Sequence, residues 1–183
     1  MGERRVTSFV ERRSGDDLTR ALQRGLVDYT AWPIHGAVAG ALGAVAIAVF
    51  FEAIDVARGN PLWTPYALGS LLFLGRWPMP DASPISIVTI GYVAVHFGVF
   101  VGFTPIAAHM ISLLRRAVPI WAVFLFLFGC IEASFLGLGL VFLPGVVSLL
   151  GGGRVAAANA IAAAVMAAYL CWFAWPRALR RPE

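Results

Sequence analysis

The chain alternates between long apolar stretches and short polar segments. The apolar stretches cover about 32–56, 86–114, 118–143 and 154–176. Each reaches or exceeds the roughly 20 residues with which an α-helix crosses a hydrocarbon layer about 30 Å thick. The pattern predicts an all-α integral membrane protein whose four-helix transmembrane domain spans 31–177, with further segments at 1–30 and 178–183.

Two shorter elements are predicted outside these stretches. Between residues 14 and 27, leucines recur every fourth position from Leu18 to Leu26, with Arg20 and Arg24 on another face. This spacing is typical of an amphipathic helix, which can lie on the membrane surface or against a partner subunit.

The second short element opens at Thr64-Pro65 and continues as an apolar run to Leu74. Too short to cross the bilayer, this run predicts an interfacial or re-entrant helix in the first external loop.

The orientation follows from the arginines that flank the apolar stretches. Eleven fall on one side (Arg4, Arg5, Arg12, Arg13, Arg20, Arg24, Arg115, Arg116, Arg177, Arg180 and Arg181), and three (Arg58, Arg76 and Arg154) fall on the other. Because arginine is concentrated on the cytoplasmic side of membrane proteins, we expect both termini in the cytoplasm.

Composition agrees with a lipid environment. Apolar residues make up 60% of the chain and charged residues 13%, and the mean hydropathy is +0.80. The net charge of +4 comes with arginines placed by membrane topology, so no nucleic-acid partner is expected. The two cysteines, Cys130 and Cys171, lie inside apolar stretches and indicate packed free thiols.

Small residues mark two of the predicted helices. Gly36, Gly40 and Gly43 line the first stretch, and Gly98 and Gly102 repeat the spacing in the second. In a bilayer, small residues at this spacing let two helix backbones approach closely. We therefore expect the first helix in the centre of the bundle.

Polar residues inside the membrane are few, and most belong to an outer cluster. Its members are Glu52, Asp55, His96, Glu132 and Asn159. At about 1.5 Å per residue, His96 and Glu132 share a depth within roughly 5 Å of the midplane. Glu52, Asp55, His96 and Glu132 are therefore candidate ligands of a transition metal.

Two other interpretations of this cluster remain open. In one, His96 and Glu132 form a hydrogen bond between helices, and Glu52 or Asp55 pairs with Arg58. In the other, His96 and Glu132 titrate in a proton or ion path. No continuous row of polar residues leads inward from them.

His35 and His109 form an inner pair, both about 13 to 15 Å on the cytoplasmic side of the midplane. Two histidines on facing helices are what a b-type haem requires, and Gly36 would leave room for the macrocycle. The alternative is a structural role, in which each histidine serves as a hydrogen-bonding group at the membrane interface.

One segment carries a resemblance. The run Arg58-Gly59-Asn60-Pro61-Leu62-Trp63-Thr64-Pro65-Tyr66-Ala67-Leu68-Gly69, after a Gly/Ala-rich helix, resembles a feature of uncharacterised bacterial four-helix integral membrane proteins. The resemblance implies a bacterial inner-membrane setting and implies no activity.

The leading functional hypothesis is a non-enzymatic polytopic membrane subunit. Such a subunit would contact lipids and either self-associate or serve as an accessory component of a larger membrane complex. Few loops and few candidate catalytic groups favour it, and no cofactor is expected. The alternatives are a redox protein that binds haem or a metal and a small proton- or ion-conducting module.

Overall fold

The computed structural model describes residues 32–79, 85–113, 118–142 and 145–174. Every regular element in these residues is helical. The elements are α1 (Trp32–Ala57), α2 (Trp63–Leu74), α3 (Ile87–Leu113), α4 (Ile120–Phe142), α5 (Val146–Leu150) and α6 (Gly152–Tyr169), the last continued by a π-helical turn at Leu170–Ala174.

Four of the described helices are long and apolar enough to span a membrane. These candidate spans are Trp32–Ala57, Ile87–Leu113, Ile120–Gly137 and Gly152–Trp172. The prediction of an all-helical protein with four apolar helices is therefore confirmed. The predicted amphipathic helix at 14–27 lies outside the described residues.

Helix α1 packs against α3 and α6 through its glycines. A methyl group added at Gly40 would overlap the backbone carbonyl of Phe100 in α3, and one at Gly43 would overlap the side chain of Met166 in α6. The expectation that small residues in α1 permit close helix approach is thus confirmed. Helix α4 packs on α6 instead, where Val123 and Leu127 are buried against Ala163 and Ala167.

A tight turn joins α1 to α2. Gly59, with a φ of 76°, adopts the left-handed conformation that commonly ends a helix. The amide of Asn60 then bonds to the carbonyl of Asp55 at 2.9 Å. Leu62, at the start of α2, also has a positive φ of 63°, a strained conformation for a residue other than glycine.

Helix α2 folds back onto the start of α3. Gly69 permits the contact, because a methyl group there would overlap the carbonyl of Val88. A second short helix, α5, occupies the connection between α4 and α6, where no helix is predicted from the sequence. Its Val146 and Leu150 are buried with Phe51, Leu68 and Val155. We call this region, where α2 and α5 lie, the α2 end of the bundle.

Candidate functional site

Asp55 is buried at the α2 end and holds the first turn of α2. Its carboxylate accepts hydrogen bonds from the backbone amide of Thr64 at 2.6 Å and from the Thr64 hydroxyl at 2.9 Å. The first amides of a helix have no partner within the helix, and the helix dipole favours negative charge there. Asp55 therefore caps α2 from α1, nine residues earlier in the chain.

Glu52 has a related role one turn earlier in α1. Its Oε2 accepts a hydrogen bond from the amide of Leu62 at 3.1 Å. This contact fixes the residue whose backbone conformation is strained. Arg58, proposed from sequence as the partner of Glu52 or Asp55, has an exposed side chain, and the contacts shown by the two carboxylates are with the start of α2.

His96 contacts α1 rather than Glu132. Its Nε2 donates a hydrogen bond to the carbonyl of Ala44 at 3.2 Å. The ring also stacks near Tyr92, with centroids 5.9 Å apart, and near Phe100, at 5.1 Å. The hydrogen bond to Ala44 thus joins α3 to α1. The expected hydrogen bond between His96 and Glu132 is not among the described contacts.

Glu132 lies in α4 with its Oε1 buried and without a hydrogen-bond partner in the described part of the chain. Glu52, Asp55, His96 and Glu132 are all among the described residues, and these residues contain no group of three or more His, Cys, Asp or Glu side chains placed to hold a metal ion. The geometry gives the metal hypothesis no support, since two of its four residues bind the start of α2.

Of the inner pair, His35 has a hydrogen-bond partner within the protein, whereas the Nδ1 of His109 is buried without one in the described residues. His35 is hydrogen-bonded through Nδ1 to the hydroxyl of Tyr169 at 3.1 Å, and the ring of His109 lies 4.5 Å from that of Trp32. The space beside Gly36, expected to admit a macrocycle, is filled by Pro105 of α3. Haem binding by His35 and His109 stays a prediction, without the room at Gly36 on which it partly rested.

A large apolar cavity lies at the α2 end. Its volume is about 780 Å³, within the usual range for a small-molecule site. All six helices contribute to its wall, and the cavity is partly open to the surface. Its polar lining residues include Glu52, His96 and Asn159.

Asn159 is a polar residue of this cavity whose side-chain nitrogen has no hydrogen-bond partner among the described residues. Only 4% of Asn159 is exposed, and its Nδ2 is buried without a hydrogen bond in the described residues. An unmade hydrogen bond at a buried amide costs about 1–3 kcal/mol. The sequence placed Asn159 in the outer cluster but gave no sign of the cavity, because its wall comes from residues far apart in the chain.

The fold and these contacts define a multi-pass helical membrane protein. At one end, the carboxylates of Glu52 and Asp55 are hydrogen-bonded to the start of α2, and an apolar cavity lies beside them. Comparison with protein-family models, with curated proteins and with solved structures finds no match. The resemblance at residues 58–69 therefore stays a prediction.

Proposed function

We propose that the protein is a non-enzymatic subunit of the membrane that self-associates through outward faces of α3 and α4. The observation that carries the proposal is a set of unpacked glycines. A Cβ added at Gly98 or Gly102 of α3, or at Gly129 or Gly137 of α4, would meet no atom within 4 Å in the described part of the chain.

These glycines belong to regular stripes of small residues. In α3 the stripe is Ala94, Gly98 and Gly102, and in α4 it is Gly129, Ala133 and Gly137; all six residues are exposed, and Gly137 also lines a cavity between α3 and α4. Positions four apart lie on one face of a helix. Small residues at this spacing are typical of contacts between transmembrane helices, where they let the backbones approach.

The same chain shows what such a stripe does when it is covered. The glycines of α1 have the backbone of α3 and the side chain of Met166 directly against them. Because α3 and α4 carry similar stripes with nothing against them, a second copy is the occupant that we propose. A different membrane subunit is the alternative occupant.

Cross-linking tests the self-association. In a variant with Cys130→Ala and Cys171→Ala, a single cysteine is introduced by Gly102→Cys, or by Ala164→Cys on the exposed face of α6 as the matched control. After reconstitution in liposomes, a short bifunctional thiol reagent should link the Gly102→Cys copies into dimers and leave the control largely monomeric. Equal linking at both positions would contradict the proposal for α3.

We also propose the bacterial inner membrane as the location, with both termini in the cytoplasm. The support is the excess of arginine at the two termini and at Arg115-Arg116. Helix α2 would then lie on the external side. Labelling of an introduced cysteine at exposed Arg76 by a membrane-impermeant thiol reagent on intact cells should succeed, and failure there with success on inverted vesicles would reverse the orientation.

A second candidate function is proton or ion conduction, which one observation favours. The Oε1 of Glu132 is buried in a candidate span without a described partner, and such a carboxyl group is a functional hypothesis by default. Purified protein in liposomes should then pass protons or ions, and Glu132→Gln should abolish the flux. A flux that Glu132→Gln leaves unchanged would count against this function.

A further inference from the structure

The cavity at the α2 end has a neighbour along the bundle. A second cavity, of about 420 Å³, shares Val99, Phe100 and Ile131 with the first and runs between α3 and α4. Asn159 lines the first cavity and Met166 the second. These two residues are separated by about 10 Å along α6. Taken together, the two neighbouring cavities extend along the bundle and are apolar, which suits a chain-like molecule.

The charges around the cavity restrict the ligand. Among the described residues that line it there is no lysine or arginine, so an anionic head group would find no counter-charge. The carboxylate of Glu52 also lines the wall and would repel an anion. A phosphate or a free carboxylate therefore does not fit.

Asn159 supplies the polar contact. Its amide is almost fully buried, lines the first cavity and has an Nδ2 without a described partner. Three other polar groups of the wall have partners: His96 Nε2 bonds to Ala44, Glu52 Oε2 to Leu62 and the Thr64 hydroxyl to Asp55. An oxygen atom on the ligand that accepts from Asn159 would remove the cost of the unmade hydrogen bond.

We propose that these cavities bind a long, uncharged apolar molecule whose oxygen acceptor bonds to Asn159 and whose chain lies between α3 and α4. The ester carbonyl of a neutral glyceride and the carbonyl of a long-chain quinone both supply this chemistry. The walls of both cavities belong to one chain, and of the small residues proposed for self-association only Gly137 also lines a cavity.

Photolabelling of the full chain in liposomes tests the proposal. Three photoactivatable probes are compared: a diacylglycerol, a long-chain quinone and a hydrocarbon of similar length that carries no oxygen. We expect one or both oxygen-bearing probes to label cavity residues such as Phe100 and Ile131, with labelling suppressed by an excess of the same unlabelled compound. The probe whose labelling is more strongly suppressed by its unlabelled form shows whether the ligand is a glyceride or a quinone.

Two variants separate the hydrogen bond from the space. Asn159→Leu should lower labelling by the oxygen-bearing probes by about 3- to 10-fold, the worth of one hydrogen bond, and should leave the hydrocarbon probe unchanged. Ala48→Trp, at an open position in the cavity wall, should block labelling of cavity residues, whereas Ala164→Trp on the outer face of α6 should not.

The proposal would be overturned by equal labelling with all three probes that no competitor suppresses, because this is the behaviour of bulk lipid. The proposal would also be overturned if the hydrocarbon probe labelled the wild-type cavity residues as strongly as the oxygen-bearing probes do. If Asn159→Leu fails to fold, as judged by circular dichroism and size-exclusion chromatography, the contrast between Ala48→Trp and Ala164→Trp decides the outcome.

Discussion

Helix α1 and the outward faces of α3 and α4 use the same kinds of residue in opposite ways. In α1, the glycines are covered by other helices, and the carboxylates of Glu52 and Asp55 both have amide partners. In α3 and α4, Gly98, Gly102, Gly129 and Gly137 are uncovered. The buried Oε1 of Glu132 also has no described partner.

Within a single copy of the chain, the small residues of α1 are covered by other helices, whereas those on the outward faces of α3 and α4 are not. A lipid-facing surface gains nothing from glycine, because lipid chains pack equally well against leucine or phenylalanine. Close approach of another helix is the circumstance that rewards it. The contrast therefore supports assembly through α3 and α4. It also indicates that the contacts of α1 with other helices stabilise the single bundle.

The largest effect is expected at the covered stripe. Gly40→Ala places a methyl group against the Phe100 carbonyl and should force α1 and α3 apart, at a cost of about 3 kcal/mol. The matched variant Gly102→Ala should change stability by less than about 1 kcal/mol. Thermal unfolding in detergent measures both, and equal destabilisation would break the contrast.

The polar turn at the end of α1 should give the next largest effect. Asp55→Ala leaves the Thr64 amide and hydroxyl without their acceptor and should cost about 2 kcal/mol or more. Thr64→Val keeps the amide contact and should cost about 1 kcal/mol. Unfolding curves should show no change for Arg58→Ala, an exposed neighbour; a similar loss there would point to a role for charge rather than capping.

A smaller change of opposite sign is expected at Asn159. In the protein without ligand, Asn159→Leu removes a buried amide whose Nδ2 lacks a partner and should raise stability by about 1 kcal/mol. The measurement is the unfolding midpoint after delipidation. A marked loss of stability would mean that the amide has a structural role in α6.

The sequence predicted the four apolar helices because span length is set by bilayer thickness and needs no tertiary information. The close packing of α1 also followed from the glycine spacing. Pairing of the polar residues could not be predicted, since Asp55 binds Thr64 only because the turn at Gly59 folds α2 back. Depth along the membrane placed His96 beside Glu132, but depth does not fix which face of a helix a residue occupies.

Resonance energy transfer between copies in liposomes tests the central claim most directly. Donor- and acceptor-labelled protein is mixed and diluted with lipid, and the wild type is compared with the double variant Gly98→Leu/Gly102→Leu. We predict transfer above the level of random collisions for the wild type, persisting on dilution, and association at least about tenfold weaker in the variant, or about 1.4 kcal/mol. Wild-type transfer that falls to the random level at every dilution would contradict self-association.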